Sequence, residues 1–337
     1  MATRIAFFDL EGWEDEEIKQ RFSDADLFLS RETLNDAAAP ARTDAEVISV
    51  FVRSRITAQV LEKFPNLKLI VTRSTGYDHV DAAACRERNV TVAYVPGYGD
   101  NTVAEYAFGL LLALSRKVYE AVDRLKEGGP FSPDGLRGFD LKGKVIGVVG
   151  TGRIGREAIS IAKGFGMQVV AYDPFPDEKI TATLGFTYAS LESLLATADV
   201  VTLHAPYMPE THHLLNAARI ALMKPSAVII NTARGGLIDT TALFAALTEK
   251  RLGGAALDVL EAEGDISDEA ALMRHADATL EEYKVALENQ SLMRMSNVLI
   301  SPHNAFNTIE AMRRILETTY TDIEQFLQGK PINIIPS

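Results

Sequence analysis

The stretch from Lys144 to Gly155 constrains the fold of this chain more than any other. An apolar run typical of a buried strand is followed by three glycines in the pattern G-x-G-x-x-G and then by a helical pattern; the glycines are Gly150, Gly152 and Gly155. A second apolar run, from Gln168 to Tyr172, ends at Asp173. The glycine pattern alone is weak evidence, but a strand before it, a helix after it and an acid behind the next strand predict a dinucleotide site.

The residue types in this stretch match what a dinucleotide requires. Gly150 permits a tight turn, Gly152 lets the backbone approach a pyrophosphate, and Gly155 allows close packing of helix on strand. The helix N-terminus offers free N–H groups to phosphates. Asp173 can accept the ribose hydroxyls and would repel a 2′-phosphate, and the residues from Pro174 to Asp177 include no lysine or arginine. We therefore predict NAD rather than NADP.

Short β-branched runs alternate with helical patterns along most of the chain, which predicts an α/β fold with parallel sheets covered on both faces. A helix is predicted from Thr102 to about Lys126, with a wide apolar face, and a polar helical pattern covers residues 268–295. The predicted strands lie at residues 4–9, 25–29, 47–52, 67–72, 90–95, 145–149, 168–172, 200–204, 227–231, 255–259 and 298–301.

Charge and cysteine content exclude several classes of protein. The 337 residues carry a net charge of −12, which argues against nucleic-acid and anionic-membrane partners. Cys85 is the single cysteine, so no internal disulfide can form and a cytoplasmic location is expected. The N-terminal residues show no apolar signal core, and no apolar run approaches the roughly 20 residues that span a bilayer.

Three later predicted strands end in side chains suited to 2-oxo acid chemistry. Arg234 follows one strand, the acids after Asp258 follow the next, and His303 follows the last. Open α/β sheets bind ligands at such strand ends. An arginine can hold a carboxylate through two parallel hydrogen bonds, a histidine can exchange the proton, and an acid can orient the imidazole.

These residues give the chain its resemblance to the D-isomer-specific 2-hydroxyacid dehydrogenase family. Within the family it is most similar to D-lactate and D-2-hydroxyisocaproate dehydrogenases. The similarity extends over nearly the whole chain, through the stretches 73–81, 95–98, 144–155, 233–236, 257–259 and 301–303.

The resemblance implies a role for each matching residue. Arg234 would anchor the substrate carboxylate and polarise the carbonyl, and His303 would be the acid/base with Glu263 as its partner, although Glu261 lies only two residues away. The implied substrate-binding residues are Phe51, Thr75, Gly76, Tyr98, Arg234 and Phe306. The implied cofactor-binding residues are Gly150, Gly152, Arg153, Ile154, Gly155, Asp173, Ala205, Pro206, Thr211, Thr232, Ala233 and Asp258.

The resemblance also implies the domain order and the assembly. An NAD-binding Rossmann domain, residues 101–303, is expected to be inserted into a flavodoxin-like substrate-binding domain formed by residues 1–100 and 304–337. A homodimer is expected, with part of the apolar face of the helix from Thr102 meeting the second subunit.

Two alternatives stay open on the sequence alone. A protein of the same fold could sense NAD(H) without catalysis, and a family dehydrogenase could act on glycerate, glyoxylate or phosphite instead of pyruvate or a branched 2-oxo acid. The adjacent His212 and His213 have no third ligand at a suitable spacing in the sequence, so no metal is expected.

Overall fold

The computed structural model describes residues 2–261 and 279–335. Contacts divide the chain into a terminal unit, Met1–Tyr98 with Thr308–Ser337, and a central unit, Gly99–Asn307. The central unit is therefore inserted in the sequence of the terminal unit. Its first and last residues lie within a few positions of the predicted boundaries at residues 101 and 303.

The terminal unit contains a five-stranded sheet in the order β2-β1-β3-β4-β5, with every neighbouring pair parallel. Its strands are β1 (Arg4–Phe7), β2 (Asp26–Leu29), β3 (Val47–Val50), β4 (Leu69–Thr72) and β5 (Thr91–Tyr94). Its described helices are α1 (Asp15–Arg21), α2 (Ala58–Glu62), α3 (Ala82–Glu87) and, near the C-terminus, Ile309–Leu327. Every residue of β3 and β4 is buried, as expected for central strands of a parallel sheet.

The central unit contains a seven-stranded sheet in the order β12-β11-β10-β9-β6-β7-β8, again parallel throughout. Its strands are β6 (Val145–Val149), β7 (Gln168–Tyr172), β8 (Thr187–Tyr188), β9 (Val200–Leu203), β10 (Val228–Asn231), β11 (Gly254–Leu257) and β12 (Val298–Ile300). Its described helices are α4 (Asp100–Ser115), α5 (Val118–Lys126), α6 (Arg153–Gly164), α7 (Glu178–Leu184), α8 (Leu191–Thr197), α9 (Ala217–Ile220), α10 (Thr240–Thr248) and α11 (Leu280–Met293), so the C-terminal helix Ile309–Leu327 is α12.

Side-chain caps fix where several helices begin. Asp239 accepts a hydrogen bond from the N–H of Ala242 at the start of α10, and Thr308 does the same for Ala311 at the start of α12. Each cap satisfies a backbone donor that the helix leaves unpaired. The two sheets and their covering helices confirm the predicted α/β class.

The prediction of one helix from Thr102 to Lys126 was wrong. The chain breaks after α4 because Lys117 adopts a left-handed backbone conformation, φ 51°. The carbonyl of Ser115 accepts a hydrogen bond from the N–H of Phe139 at 2.9 Å instead of continuing the helical ladder. The two-residue edge strand β8 was not predicted, because so short a strand leaves almost no pattern. Part of the predicted 268–295 helix lies outside the described residues; the rest is α11.

Candidate active site

The predicted site residues of the central unit follow neighbouring strands of one parallel sheet. Arg234 follows β10, Asp258 follows β11 and His303 follows β12, and these three strands lie side by side. On the other side of β10 come β9, then β6 with the glycine loop, then β7 with Asp173. Because all strands run the same way, these residues lie at the C-terminal ends of the strands, where open α/β folds bind ligands.

The loop that carries Arg234 is held by its own strand. The side-chain amide of Asn231, the last residue of β10, donates to the Arg234 carbonyl at 2.9 Å, and its oxygen accepts from the N–H of Ala233. The Arg234 guanidinium donates to the Ala233 carbonyl at 2.7 Å and is only partly buried. The loop backbone is therefore fixed while the guanidinium keeps access to solvent.

Asp258 holds the loop that carries His303. Its carboxylate accepts hydrogen bonds from the Ser301 hydroxyl and from the N–H groups of Asn304 and Ala305, at 2.5, 2.8 and 2.7 Å. Burial raises the pKa of the Asp258 carboxyl, and these hydrogen bonds oppose the rise. Three of roughly four acceptor positions are filled. The contact of Asp258 with the nicotinamide stays a prediction. The hydrogen bonds of its carboxylate show that it stabilises the His303 loop.

His303 has a strained backbone. Its φ is 50°, a left-handed conformation that costs a side-chain-bearing residue about 1–3 kcal/mol. Its N–H donates to the Asp258 carbonyl at 2.8 Å, and its ring lies at 76° to the ring of Phe306 with 6.5 Å between centroids. The hydrogen bonds between Asp258 and residues 303–305 hold this strained backbone in place.

Glu263 lies outside the described residues. Glu261, the other acid weighed for the His303 partnership, is engaged elsewhere: one carboxylate oxygen lies 2.6 Å from Nε2 of His213, and the other accepts from the Thr240 hydroxyl at 2.8 Å. The Glu261 carbonyl also accepts from the side-chain amide of Asn289.

The sequence spacing predicted that no third potential ligand lies near His212 and His213, and this prediction was wrong. The fold brings Glu261 to them, and the potential ligand atoms of the three lie within 4.8 Å of one another. The two rings stack with centroids 3.8 Å apart and planes 26° apart, so their in-plane lone pairs run side by side instead of converging on one point. The geometry is that of a hydrogen-bonded His213–Glu261 pair, with His212 held by the Tyr207 hydroxyl at 3.1 Å.

The glycine loop has the geometry that a pyrophosphate requires. Gly150 has φ 94°, and a β-carbon on Gly155 would overlap the Gly150 carbonyl, so neither position tolerates a side chain. At Gly152 a β-carbon would meet nothing within 4 Å, so open space lies beside the backbone there. Gly152 precedes α6 without a side-chain cap, and Arg153 and Ile154 form its first turn. Backbone N–H groups and open space thus coincide, as a bound phosphate would need.

Asp173, behind β7, is held against the glycine loop. Its carboxylate accepts from the N–H and hydroxyl of Thr151 at 2.8 and 3.0 Å and from the N–H of Phe175 at 2.9 Å. Tyr188 of β8 contacts the same Thr151 hydroxyl at 2.9 Å. The sequence predicted a role for Asp173 but not its contacts with Thr151, nor the contact of Tyr188 with Thr151, because only the folded sheet brings β6, β7 and β8 together.

The residues predicted to contact the nicotinamide half follow β9, β10 and, in the case of Asp258, β11. Thr211 closes the loop after Ala205 by donating to the Pro206 carbonyl at 2.8 Å. The Thr232 hydroxyl, beside Ala233, is buried and has no hydrogen-bond partner among the described residues. A buried hydroxyl without a partner is costly, so this group fits a bound ligand. Burial lowers the pKa of His204 to about 4, so this imidazole is neutral at pH 7.

In the terminal unit the predicted substrate residues also follow adjacent strands: Phe51 follows β3, Thr75 and Gly76 follow β4, and Tyr98 follows β5. The Phe51 N–H donates to the buried carboxylate of Asp9, and the Thr75 hydroxyl donates to the Val95 carbonyl. Among the described residues, the N–H groups of Thr75 and Gly76 donate to no protein acceptor.

Comparison with known proteins agrees with this geometry. The family model described as "D-isomer specific 2-hydroxyacid dehydrogenase, NAD binding domain" matches residues 108–305. A 2-hydroxyacid dehydrogenase homolog of Zymomonas mobilis is 36% identical over 97% of this chain and 98% of its own length. The D-lactate dehydrogenase of Escherichia coli is 35% identical over 88% of both chains.

Solved structures show the same likeness. The D-lactate dehydrogenase of Aquifex aeolicus, complexed with NAD and lactic acid, superimposes with a TM-score of 0.87 at 34% identity, covering 99% of this chain and 100% of that chain. No helix in the described part of the chain is both long and apolar enough to cross a membrane. The chain therefore belongs to the D-isomer-specific 2-hydroxyacid dehydrogenase family, with an NAD-binding domain at residues 108–305.

Proposed function

We propose that this protein reversibly reduces a small 2-oxo acid, pyruvate or a branched 2-oxo acid, to the D-2-hydroxy acid with NADH. The observation that carries the proposal is the order of strand ends in the central sheet. Arg234 after β10 and His303 after β12 flank β11, and the glycine loop after β6 lies two strands from β10. A carboxylate anchor, a proton donor and a dinucleotide loop thus all lie at the C-terminal ends of strands of one sheet.

Arg234 anchors the substrate. The guanidinium is always charged, and its planar fork can hold a carboxylate through two parallel hydrogen bonds. The same charge polarises the neighbouring carbonyl. On a protein with a net charge of −12, a local positive centre is needed to bind an anion.

His303 exchanges the proton. In reduction, bound NADH supplies the hydride to the carbonyl carbon. The His303 imidazolium gives its proton to the carbonyl oxygen, which becomes the hydroxyl, and the imidazole is left neutral. Glu263 is the proposed partner that favours the charged imidazole. The engagement of Glu261 by His213 and Thr240 supports this choice, since it leaves Glu261 committed elsewhere.

The resemblance assigns further substrate-binding roles to residues of each unit separately. In the terminal unit, the backbone N–H groups of Thr75 and Gly76 are proposed to bind the substrate carboxylate, and Phe51 and Tyr98 to contact the substrate side chain. In the central unit, Phe306 is proposed to contact the same side chain. Aromatic rings at a binding site favour an apolar side chain over the phosphate of a phosphorylated acid.

The residues proposed to bind NAD also lie at the C-terminal ends of the strands of the central sheet. Arg153 and Ile154 contact the pyrophosphate, and Asp173 accepts the adenosine ribose hydroxyls. The nicotinamide half is held by the remaining predicted residues, with the unpartnered Thr232 hydroxyl as the best-supported of them: Ala205, Pro206, Thr211, Thr232, Ala233 and Asp258.

A substrate panel tests the reaction. Pyruvate, 2-oxoisocaproate, hydroxypyruvate and glyoxylate are each added with NADH, phosphite is added with NAD, and the NADH absorbance is followed. We expect the highest kcat/KM with pyruvate or 2-oxoisocaproate and a product of D configuration. NADH binding without turnover of any substrate would favour the sensing protein, and preference for glyoxylate, hydroxypyruvate or phosphite would favour the other dehydrogenases.

We also propose a homodimer, formed through α5. α4 packs mostly on its own unit, because Ala107, Leu111 and Leu114 are buried there. By contrast, no residue of α5 is buried, and its exposed apolar side chains follow helical spacing: Val118, Tyr119, Val122 and Leu125. An apolar face of this kind marks an interface, and a second copy presents the same face about a twofold axis.

Light scattering at micromolar concentration tests the assembly. The wild type should have the mass of a dimer, Val122→Asp that of a monomer, and the control Lys126→Gln that of a dimer. A monomeric wild type would refute the dimer, and a dimeric Val122→Asp would place the interface elsewhere. The cytoplasmic location expected from Cys85 stays a prediction.

A further inference from the structure

A cation that the sequence did not reveal lies at the ribose end of the NAD site. Arg156 is in the first turns of α6. Its Nε donates to the Thr151 carbonyl at 2.9 Å, and its Nη2 lies 3.3 Å from the Asp177 carboxylate. Thr151 in turn donates to Asp173 through its N–H and its hydroxyl.

Arg156 is therefore linked to Asp173 through Thr151, and it forms an ion pair with Asp177. Residues 174–177 contain no lysine or arginine, but the helix after the glycine loop supplies an arginine. The side chains of Arg156 and Asp177 are 44% and 40% exposed. Such a surface ion pair contributes little to stability, so another anion can replace Asp177 at the guanidinium.

We propose that the Arg156–Asp177 pair is a second determinant of cofactor choice, beside Asp173. While Asp177 neutralises Arg156, the guanidinium does not attract the 2′-phosphate of NADP. Removal of both carboxylates would make Arg156 a phosphate-binding group. The proposal rests on the proposed NAD-dependent function and concerns the same site.

The local charge supports this inference. Asp173, Asp177 and Arg156 sum to one negative charge, which repels a phosphate carrying about −1.5 to −2. Without the Asp173 carboxylate the sum is zero, and without both carboxylates it is one positive charge. A guanidinium can then bind the phosphate through charge-assisted hydrogen bonds.

Calorimetry with adenosine 2′,5′-bisphosphate tests the proposal without turnover, and adenosine 5′-monophosphate is the control ligand. The variants are Asp173→Ser, the double variant Asp173→Ser/Asp177→Asn, and a triple variant that adds Arg156→Gln. The bisphosphate should bind the double variant about tenfold tighter than Asp173→Ser, a difference of about 1.4 kcal/mol. The gain should shrink in high salt and vanish in the triple variant.

The monophosphate should bind the double and triple variants equally. A double variant that binds the bisphosphate no tighter than Asp173→Ser would overturn the proposal, as would a triple variant that keeps the gain. Failure of the wild type to bind NADH at all would instead contradict the proposed function. The two failures are therefore distinguishable.

Discussion

Gly235 lies where two loops of the candidate site pack directly against each other. Its replacement by alanine is the sharpest steric test of that arrangement. A β-carbon at Gly235 would lie well under 3.0 Å from backbone atoms of Leu260 and Glu261. Carbon atoms normally approach to about 3.5–4.0 Å, so the Arg234 loop and the loop after β11 must separate by about 1 Å or more. Neither neighbour can yield by a side-chain rotation, because the overlap is with backbone.

A displacement of about 1 Å in a catalytic arrangement costs on the order of a hundredfold in rate. We therefore expect Gly235→Ala to lower kcat/KM for pyruvate roughly a hundredfold, which corresponds to about 2.7 kcal/mol. NADH affinity, measured by fluorescence, should fall much less than kcat/KM, because the glycine loop and Asp173, which bind the pyrophosphate and the adenosine ribose in this proposal, follow other strands of the sheet.

Gly236→Ala is the matched control. Its β-carbon would meet the ring of Tyr207 at 2.6 Å, but that side chain is 41% exposed and can move aside. The control should keep kcat/KM within a few-fold of wild type. A Gly235→Ala enzyme with wild-type kcat/KM and an unchanged melting temperature would refute the reasoning about these two loops.

Two further predictions concern ionisable groups. Glu263→Gln should move the alkaline limb of the kcat/KM profile for reduction to lower pH, because a carboxylate beside His303 favours the proton-bearing imidazole, whereas Glu261→Gln should leave the limb in place; the reverse pattern would make Glu261 the partner. Burial raises the pKa of Asp322 from 3.8 to about 7, so the folded state holds this proton more tightly than the unfolded state. The free energy of unfolding should therefore fall, by up to roughly 4 kcal/mol from this group, between pH 4 and pH 7. Asp322→Asn should flatten that slope and raise stability at pH 8 in urea titrations, and an unchanged slope would show that Asp322 is not responsible.

Sequence patterns predicted the repeating architecture because it depends on local signals. Apolar runs such as Val145–Val149 and Gln168–Tyr172 are strands with the predicted bounds, since a buried parallel strand needs little beyond β-branched residues. The break at Lys117 was not predictable in this way. It depends on a hydrogen bond from Phe139, more than twenty positions from the end of α4.

The candidate site shows the same division. Arg234, Asp173 and His303 could be located because each follows a recognisable strand. The partners that hold them could not, since Thr151 meets Asp173 over 22 positions and Asp258 meets Asn304 of the His303 loop over 46. Arg156 could not be assigned to this site from the sequence, because it lies on the helix before Asp173 and only the fold brings it to Asp177, 21 positions away.

The central claim is that Arg234 anchors the carboxylate of a 2-oxo acid. It is tested most directly by kcat/KM for pyruvate reduction in wild type and Arg234→Lys, with the Kd for NADH measured in both. Lysine keeps the charge but loses the planar pair of donors, so we predict a fall of at least tenfold in kcat/KM with an unchanged Kd for NADH. A kcat/KM equal to that of the wild type would contradict the account.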